Sequence, residues 1–191
     1  MSNLQNESNP HGVRRATDSD IEPLYELVPQ ILAENEVLHL SPGKIQDLVE
    51  RCCLQRGGAI AGVIDGEYGT IDASIGMSFV TTEVSDEPYI SVAWCGMSPA
   101  ARKLPEELKK DLHHPRRHYG KRLFSFARWA HSGMEVAAGH RIIMRWNVLT
   151  LDALTPKMAL HQRYVPQIGA YYAFGAEGDF RGQMVLEEIA A

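Results

Sequence analysis

The sequence has little of what small disulfide-bonded or metal-stabilised domains depend on. Only 3 cysteines occur in 191 residues, two of them adjacent at Cys52-Cys53. With no CxxC pair and no Cys/His array, neither a disulfide framework nor a zinc site is offered. A reducing, cytoplasmic compartment is the simplest reading. Nowhere do 18 or more apolar residues run together, which excludes a helical membrane span on length. Residues 1–12 are polar, lack the apolar stretch of a secretory signal, and are expected to form a flexible tail. With no internal repeat or low-complexity block, residues 13–191 are expected to form a single domain around one core.

What the chain does have is an uneven charge. Its 19 Lys+Arg against 24 Asp+Glu give a net −5. Between 102 and 122, however, eight cationic side chains face only Glu106, Glu107 and Asp111, a local +5 that leaves −10 for the remainder. An anionic partner therefore has one place to go.

The pattern of apolar residues orders the elements. Val13 to Thr17 reads as a short strand, and Ser19 with Glu22 fits a capping box opening a helix. The face of that helix is Ile21, Leu24, Tyr25, Val28, Ile31 and Leu32, with Pro29 expected to bend or shorten it. Ser41-Pro42 resembles an N-cap and first-turn pair for a second helix, stopped by Gly57-Gly58. The period then changes to that of strands: Ala59 to Ile64 and Ile71 to Val80 as a hairpin, then Tyr89 to Met97 after a turn at 85–88. Leu123, Ala127, Ala130 and Met134 mark a helix over 119–137, and Arg141 to Val148 is strand-like. Thr155-Pro156 opens a further short helix to about Tyr164, before strands at Ala170–Phe174 and Met184–Ile189. Three consecutive strands imply antiparallel pairing, and the strand–helix–strand run from 89 to 148 implies one parallel crossover. The fold class is therefore α/β with a mixed, mostly antiparallel sheet of six to seven strands and helices on both faces.

These residues resemble the Gcn5-related N-acetyltransferase (GNAT) family of acyl-coenzyme A dependent transferases, over roughly Val13 to Phe174. Val13-Arg14-Arg15-Ala16-Thr17 with Asp20-Ile21 is similar to the family's first strand and helix, and Gly62-Val63-Ile64 with Ile75-Gly76 to its hairpin. Ile90 to Met97 followed by Ser98-Pro99-Ala100-Ala101-Arg102 resembles its fourth strand and V-x-P-x-x-R ending, with Met97 in place of Val. Tyr119-Gly120-Lys121-Arg122-Leu123 resembles the end of its [Q/R]-x-x-G-x-[G/A] loop. A glycine where a loop enters a helix lets the backbone close on a pyrophosphate, and the helix N-terminus favours the charge. Here an insertion of about fifteen residues separates Arg102 from Gly120. His118 stands in the place of the first glycine and Pro115 in that of the leading Gln or Arg. Arg116 and Arg117 are candidates to supply the contacts that lost amides would have made.

The resemblance implies acetyl-coenzyme A as cofactor and direct transfer of its acetyl group to a primary amine. It implies cofactor contacts from Cys95, Gly96, Met97, Arg102, Arg116, Arg117, His118, Tyr119, Gly120 and Lys121. A backbone N–H at a bulge in the fourth strand would polarise the thioester, and Cys95-Gly96 is the stretch in which a glycine inside a strand suggests one. In Leu160-His161-Gln162-Arg163-Tyr164, His161 stands where many members carry the tyrosine acid, and Tyr164 follows at i+3. Glu36 and His39, between the first two helices, are candidate bases, with Glu83 as another. Asn147 resembles the family's asparagine before the last helix, with Asp152 nearer the usual spacing. An acyl-enzyme on Cys95 is a different reading of the same strand.

The acceptor is open among a small amine, a protein amine and nucleic acid reached through the basic 102–122 segment. The stretched loop also resembles that of phage-type GNAT-like DNA base modification proteins. A non-catalytic GNAT-fold binding or structural protein is the alternative from another class.

Overall fold

The computed structural model describes residues 12–33, 40–82, 85–103, 105, 110–111, 113–147, 170–173 and 183–186. The strands are β1 (Arg14–Arg15), β2 (Ile60–Asp65), β3 (Ile71–Thr82), β4 (Ser85–Met97), β5 (Ile143–Asn147), β6 (Ala170–Ala173) and β7 (Gln183–Leu186). The helices are α1 (Ile21–Ala33), α2 (Pro42–Cys53), the single turn α3 (Pro99–Arg102) and α4 (Tyr119–Ala138). All seven strands form one sheet in the order β1-β2-β3-β4-β5-β7-β6. Among the described strands only β4 and β5 run parallel, joined by a crossover through α4. The α/β class, the mixed sheet and the parallel crossover agree with the reading from sequence.

Two apolar layers cover the sheet. Leu24, Leu27, Val28, Ile31 and Leu32 of α1 and Leu48, Val49, Cys52 and Cys53 of α2 pack with Ala61, Val63, Ile71 and Trp94 on one face. Leu123, Phe124, Phe126, Ala127 and Ala130 of α4 pack with Ile60, Ile64, Ile75, Met77, Ile90 and Val92 on the other. Strict alternation along a strand would keep residues 92 and 94 on one face. A bulge changes this: Gly76 pairs with Trp94 and Met77 with Val92, leaving Ala93 as the extra residue. Val92 therefore faces α4 while Ala93 and Trp94 both face α1 and α2. β3 carries a second bulge. Ile64 pairs with Ala73 and Asp65 with Ile71, so Asp72 is the extra residue.

Several boundaries differ from those expected. The capping box lies two residues earlier, with the Thr17 amide donating to Asp20 Oδ2 at 2.7 Å. Asp20 can hold that place because Arg14 clamps it with Nη1 and Nη2, both at 2.7 Å, while also reaching Asp65. Helix α1 runs through Pro29, which is exposed and so gives up a backbone donor on the solvent side. Helix α2 ends at Cys53 rather than at Gly57, because Gln55 already turns left-handed at φ 52°. β4 begins at Ser85, so the residues read as a turn belong to the strand. The expected helix to Tyr164 lies outside the described residues.

Among the described residues no helix is long and apolar enough to cross a membrane.

Trp94 is 2% exposed, and its ring lies 2.3 Å from where a Cβ on Gly76 would stand. Gly76→Ala is therefore expected to destabilise the protein by about 2 kcal/mol or more, measured by denaturant unfolding. Burial pushes the Asp20 carboxyl up, but the Arg14 guanidinium and Thr17 amide outweigh it and hold the group below its ordinary value. A depressed folded value contributes stability that is present above the ordinary value of about 3.9 and lost as pH falls through the folded one. Asp20→Asn should flatten the fall in melting temperature below about pH 4, relative to wild type.

Candidate functional site

Beyond the Ala93 bulge, β4 has a described strand partner on one side only. Trp94, Cys95, Gly96 and Met97 pair with Gly76, Ile75, Ser74 and Ala73 of β3, while the pairing with β5 ends at Val92 with Trp146. Among the described residues no strand pairs with the other edge from 93 to 97. Bulging raises local twist, and it does so at the point where parallel pairing stops. Among the described strands, the β4 edge from Ala93 to Met97 is thus left without a pairing partner.

The end of β4 leads to the N-terminus of α4. Ser98 caps α3 by accepting from the Ala101 amide at 3.0 Å, and the Ser98 amide donates to the Asp72 carbonyl at 2.8 Å. A 3₁₀ turn, Pro115–His118, then runs directly into α4. In this turn the Arg116 amide donates to His114 Nδ1 at 3.3 Å, the Arg117 amide to the His114 carbonyl at 3.0 Å, and the Tyr119 amide to the Arg116 carbonyl. Those amides are engaged within the turn. Gly120 lies in the first turn of α4, and a Cβ built there meets nothing within 4 Å. Its lack of a side chain is required neither by packing nor by a left-handed backbone.

Tyr119, 6% exposed, sits under this corner. Its hydroxyl donates to Asp72 Oδ2 at 3.0 Å, Arg116 Nε approaches the same oxygen at 3.6 Å, and the Arg122 guanidinium lies 5.4 Å above the ring. Burial, then the neighbouring Asp72 carboxylate, pushes the Tyr119 phenol above its ordinary value.

No protein-family model matches the sequence, and no curated protein does. Solved structures do. A GNAT-family acetyltransferase of Staphylococcus aureus Mu50 superposes with a TM-score of 0.57 at 12% identity, covering 92% of this chain and 97% of that one. A Corynebacterium glutamicum protein described as histone acetyltransferase HPA2 and related acetyltransferase gives 0.50 at 12% identity, over 91% and 92%. A GNAT-family protein of Desulfovibrio desulfuricans gives 0.50 at 12% identity, over 92% and 97%. The chain has the GNAT fold. At this level of identity the likeness extends to the fold alone.

On the GNAT frame, the residues expected at the cofactor loop gather at one corner, but in unequal states. His118 and Lys121 are exposed beside Gly120, and so is Arg117. Arg102 instead turns back, with Nη2 donating to the Met97 carbonyl at 2.6 Å. Arg122 donates to the Gly12 carbonyl. The basic segment is therefore not one solvated face, since Arg102 and Arg122 are turned onto main-chain carbonyls. That reduces the cations presented to a polyanion.

The bulge lies at Ala93, not at Cys95-Gly96, because Trp94 must reach the α1–α2 layer. Gly96 has a different role: a Cβ there would stand 2.8 Å from Ile31 Cγ2, so the glycine lets α1 approach. Cys95 packs against the α4-side core, and burial pushes its thiol up to about 12. A thiol held so high is protonated at neutral pH, which speaks against an acyl-enzyme. His161, Tyr164, Glu36, His39, Glu83 and Asp152 lie outside the described residues, and Asn147 ends β5. Asp72 went unread in the sequence, although a single carboxylate within the apolar run Ile71 to Met77 is a signal in itself.

Because nothing packs against position 120, Gly120→Ala is expected to leave stability unchanged or raise it by up to about 1 kcal/mol, read by urea unfolding.

Proposed function

We propose that the protein is an acyl-coenzyme A dependent N-acyltransferase that moves an acetyl group from acetyl-coenzyme A to a primary amine by direct attack. The observation that carries this reading is the bulged edge of β4, unpaired from Ala93 to Met97 among the described strands, together with a helix N-terminus whose second residue is a glycine that no described side chain crowds.

The cofactor supplies a thioester, an activated acyl group with a thiol as leaving group. An open strand edge from Ala93 to Met97 offers backbone donors and acceptors to an extended, amide-bearing arm, as a neighbouring strand would use them. A backbone N–H at this bulge is fixed before reaction, so it can stabilise charge developing on a carbonyl oxygen without reorganising. At the α4 corner, Gly120 leaves room, while Arg116, Arg117, His118 and Lys121 supply positive charge close to a helix N-terminus. The corner fits a pyrophosphate through side-chain charge more than through amides, since those of 116, 117 and 119 are engaged. Glu36 or His39 takes the proton that leaves the acceptor amine, and His161 or Tyr164 returns one to the departing sulfur.

Acetyl-coenzyme A at 100 times its Kd should stabilise the folded protein by about 2.7 kcal/mol, seen as a rise in melting temperature. No shift at millimolar concentration would overturn the reading. Gly120→Ala should weaken that binding while leaving the ligand-free protein no less stable. Turnover on an amine acceptor should fall by about tenfold or more in His161→Phe or in Tyr164→Phe. Full activity in both variants would rule out the acid assignment.

A further inference from the structure

Asp72 is an unusual residue for its place. It is the second residue of β3, is 6% exposed, and is followed by Ala73, Ile75 and Met77, each at 0%. An ionised carboxylate taken out of water is costly, and strand pairing here needs only its backbone, whose carbonyl accepts from the Ser98 amide. An apolar residue would serve packing as well. Yet the fold makes room for the acid twice over. The bulge makes Asp72 the extra residue of β3 and brings it to the side of α4. In the β2–β3 turn, a Cβ on Gly66 would lie 2.4 Å from Asp72 Oδ1, so that glycine clears space for the carboxylate.

The partners at the other oxygen are the first residue of α4 and a cation of the preceding turn. Tyr119 donates its hydroxyl to Oδ2 at 3.0 Å, and Arg116 approaches that atom through Nε at 3.6 Å. An arginine has five donors, more than one carboxylate engages, and an ordered guanidinium loses less entropy on meeting an anion than a free one. The contact also links the 3₁₀ turn and the first residue of α4 to β3.

We infer that Asp72 is the positioning residue of the α4 corner, holding Arg116 and Tyr119 in place so that the arginine engages an anionic phosphate group of the cofactor. This rests on the N-acyltransferase reading, and Asp72 acts through Arg116 without touching the ligand itself. The test is a double-mutant cycle read by isothermal titration with coenzyme A on the full chain: wild type, Asp72→Asn, Arg116→Ala and the double variant. Asp72→Asn should weaken binding by about fivefold or more, and the double variant should bind no more weakly than Arg116→Ala alone. Tyr119→Phe in the same cycle removes one donor and keeps the ring under Arg122, and it decides the matter if Asp72→Asn does not fold. Penalties that multiply, or an Asp72→Asn that binds coenzyme A as wild type does or tighter, would overturn the inference alone. If wild type itself fails to bind coenzyme A at millimolar concentration, the functional reading falls with it.

Discussion

Trp94 can lie against β3 only because residue 76 has no side chain, and much of the sheet's geometry depends on that contact. The indole N–H donates to Ser74 Oγ, and Ser74 Oγ donates to the Gly62 carbonyl, each at 3.0 Å. One buried ring thus links β4, β3 and β2 at the same level, with the indole N–H and the Ser74 hydroxyl both satisfied. To reach the α1–α2 layer the tryptophan needs β4 to change faces between Val92 and Trp94, and the bulge at Ala93 is how it does so. The β4–β5 pairing stops at that residue. The packing demand of one large side chain and the end of the described β4–β5 pairing therefore fall at the same place.

Near the start of β3, a second bulge serves electrostatics. Placing the Asp72 carboxylate under the start of α4 draws Arg116 and Tyr119 to it, and the 3₁₀ turn that follows uses backbone amides that a glycine-rich loop would leave open. Arg102 and Arg122 likewise bond to main-chain carbonyls at Met97 and Gly12. At this corner the positive charge lies on side chains, while the amides of 116, 117 and 119 are used within the turn.

Local patterns in the chain anticipated much of this. Apolar spacing at 24, 28, 31 and 32, the Ser41-Pro42 start of α2, and the strand of odd-numbered apolar residues at 75, 77 and 79 all reappear with the faces expected. Errors fell where a boundary depends on a distant partner. The capping box moved from Ser19 to Thr17 because Arg14, held also by Asp65 from β2, fixes Asp20 as the third residue of the turn. The bulge moved from Cys95-Gly96 to Ala93 because two glycines with similar local signals meet different neighbours, Gly76 a tryptophan and Gly96 an isoleucine of α1.

Element type, order and the single parallel crossover were set by the sequence itself, because periodicity and turn residues act within a few positions along the chain. The grouping of Arg116, Tyr119 and Gly120 at one corner was also implied by their adjacency. What only the tertiary structure decided is which charges are left to face a ligand. A run of eight cations reads as one basic face in sequence, but whether an arginine meets solvent, a carbonyl or a buried carboxylate depends on residues as remote as Asp72 and Gly12. Charge adds along a sequence, whereas its availability is settled by contacts across space.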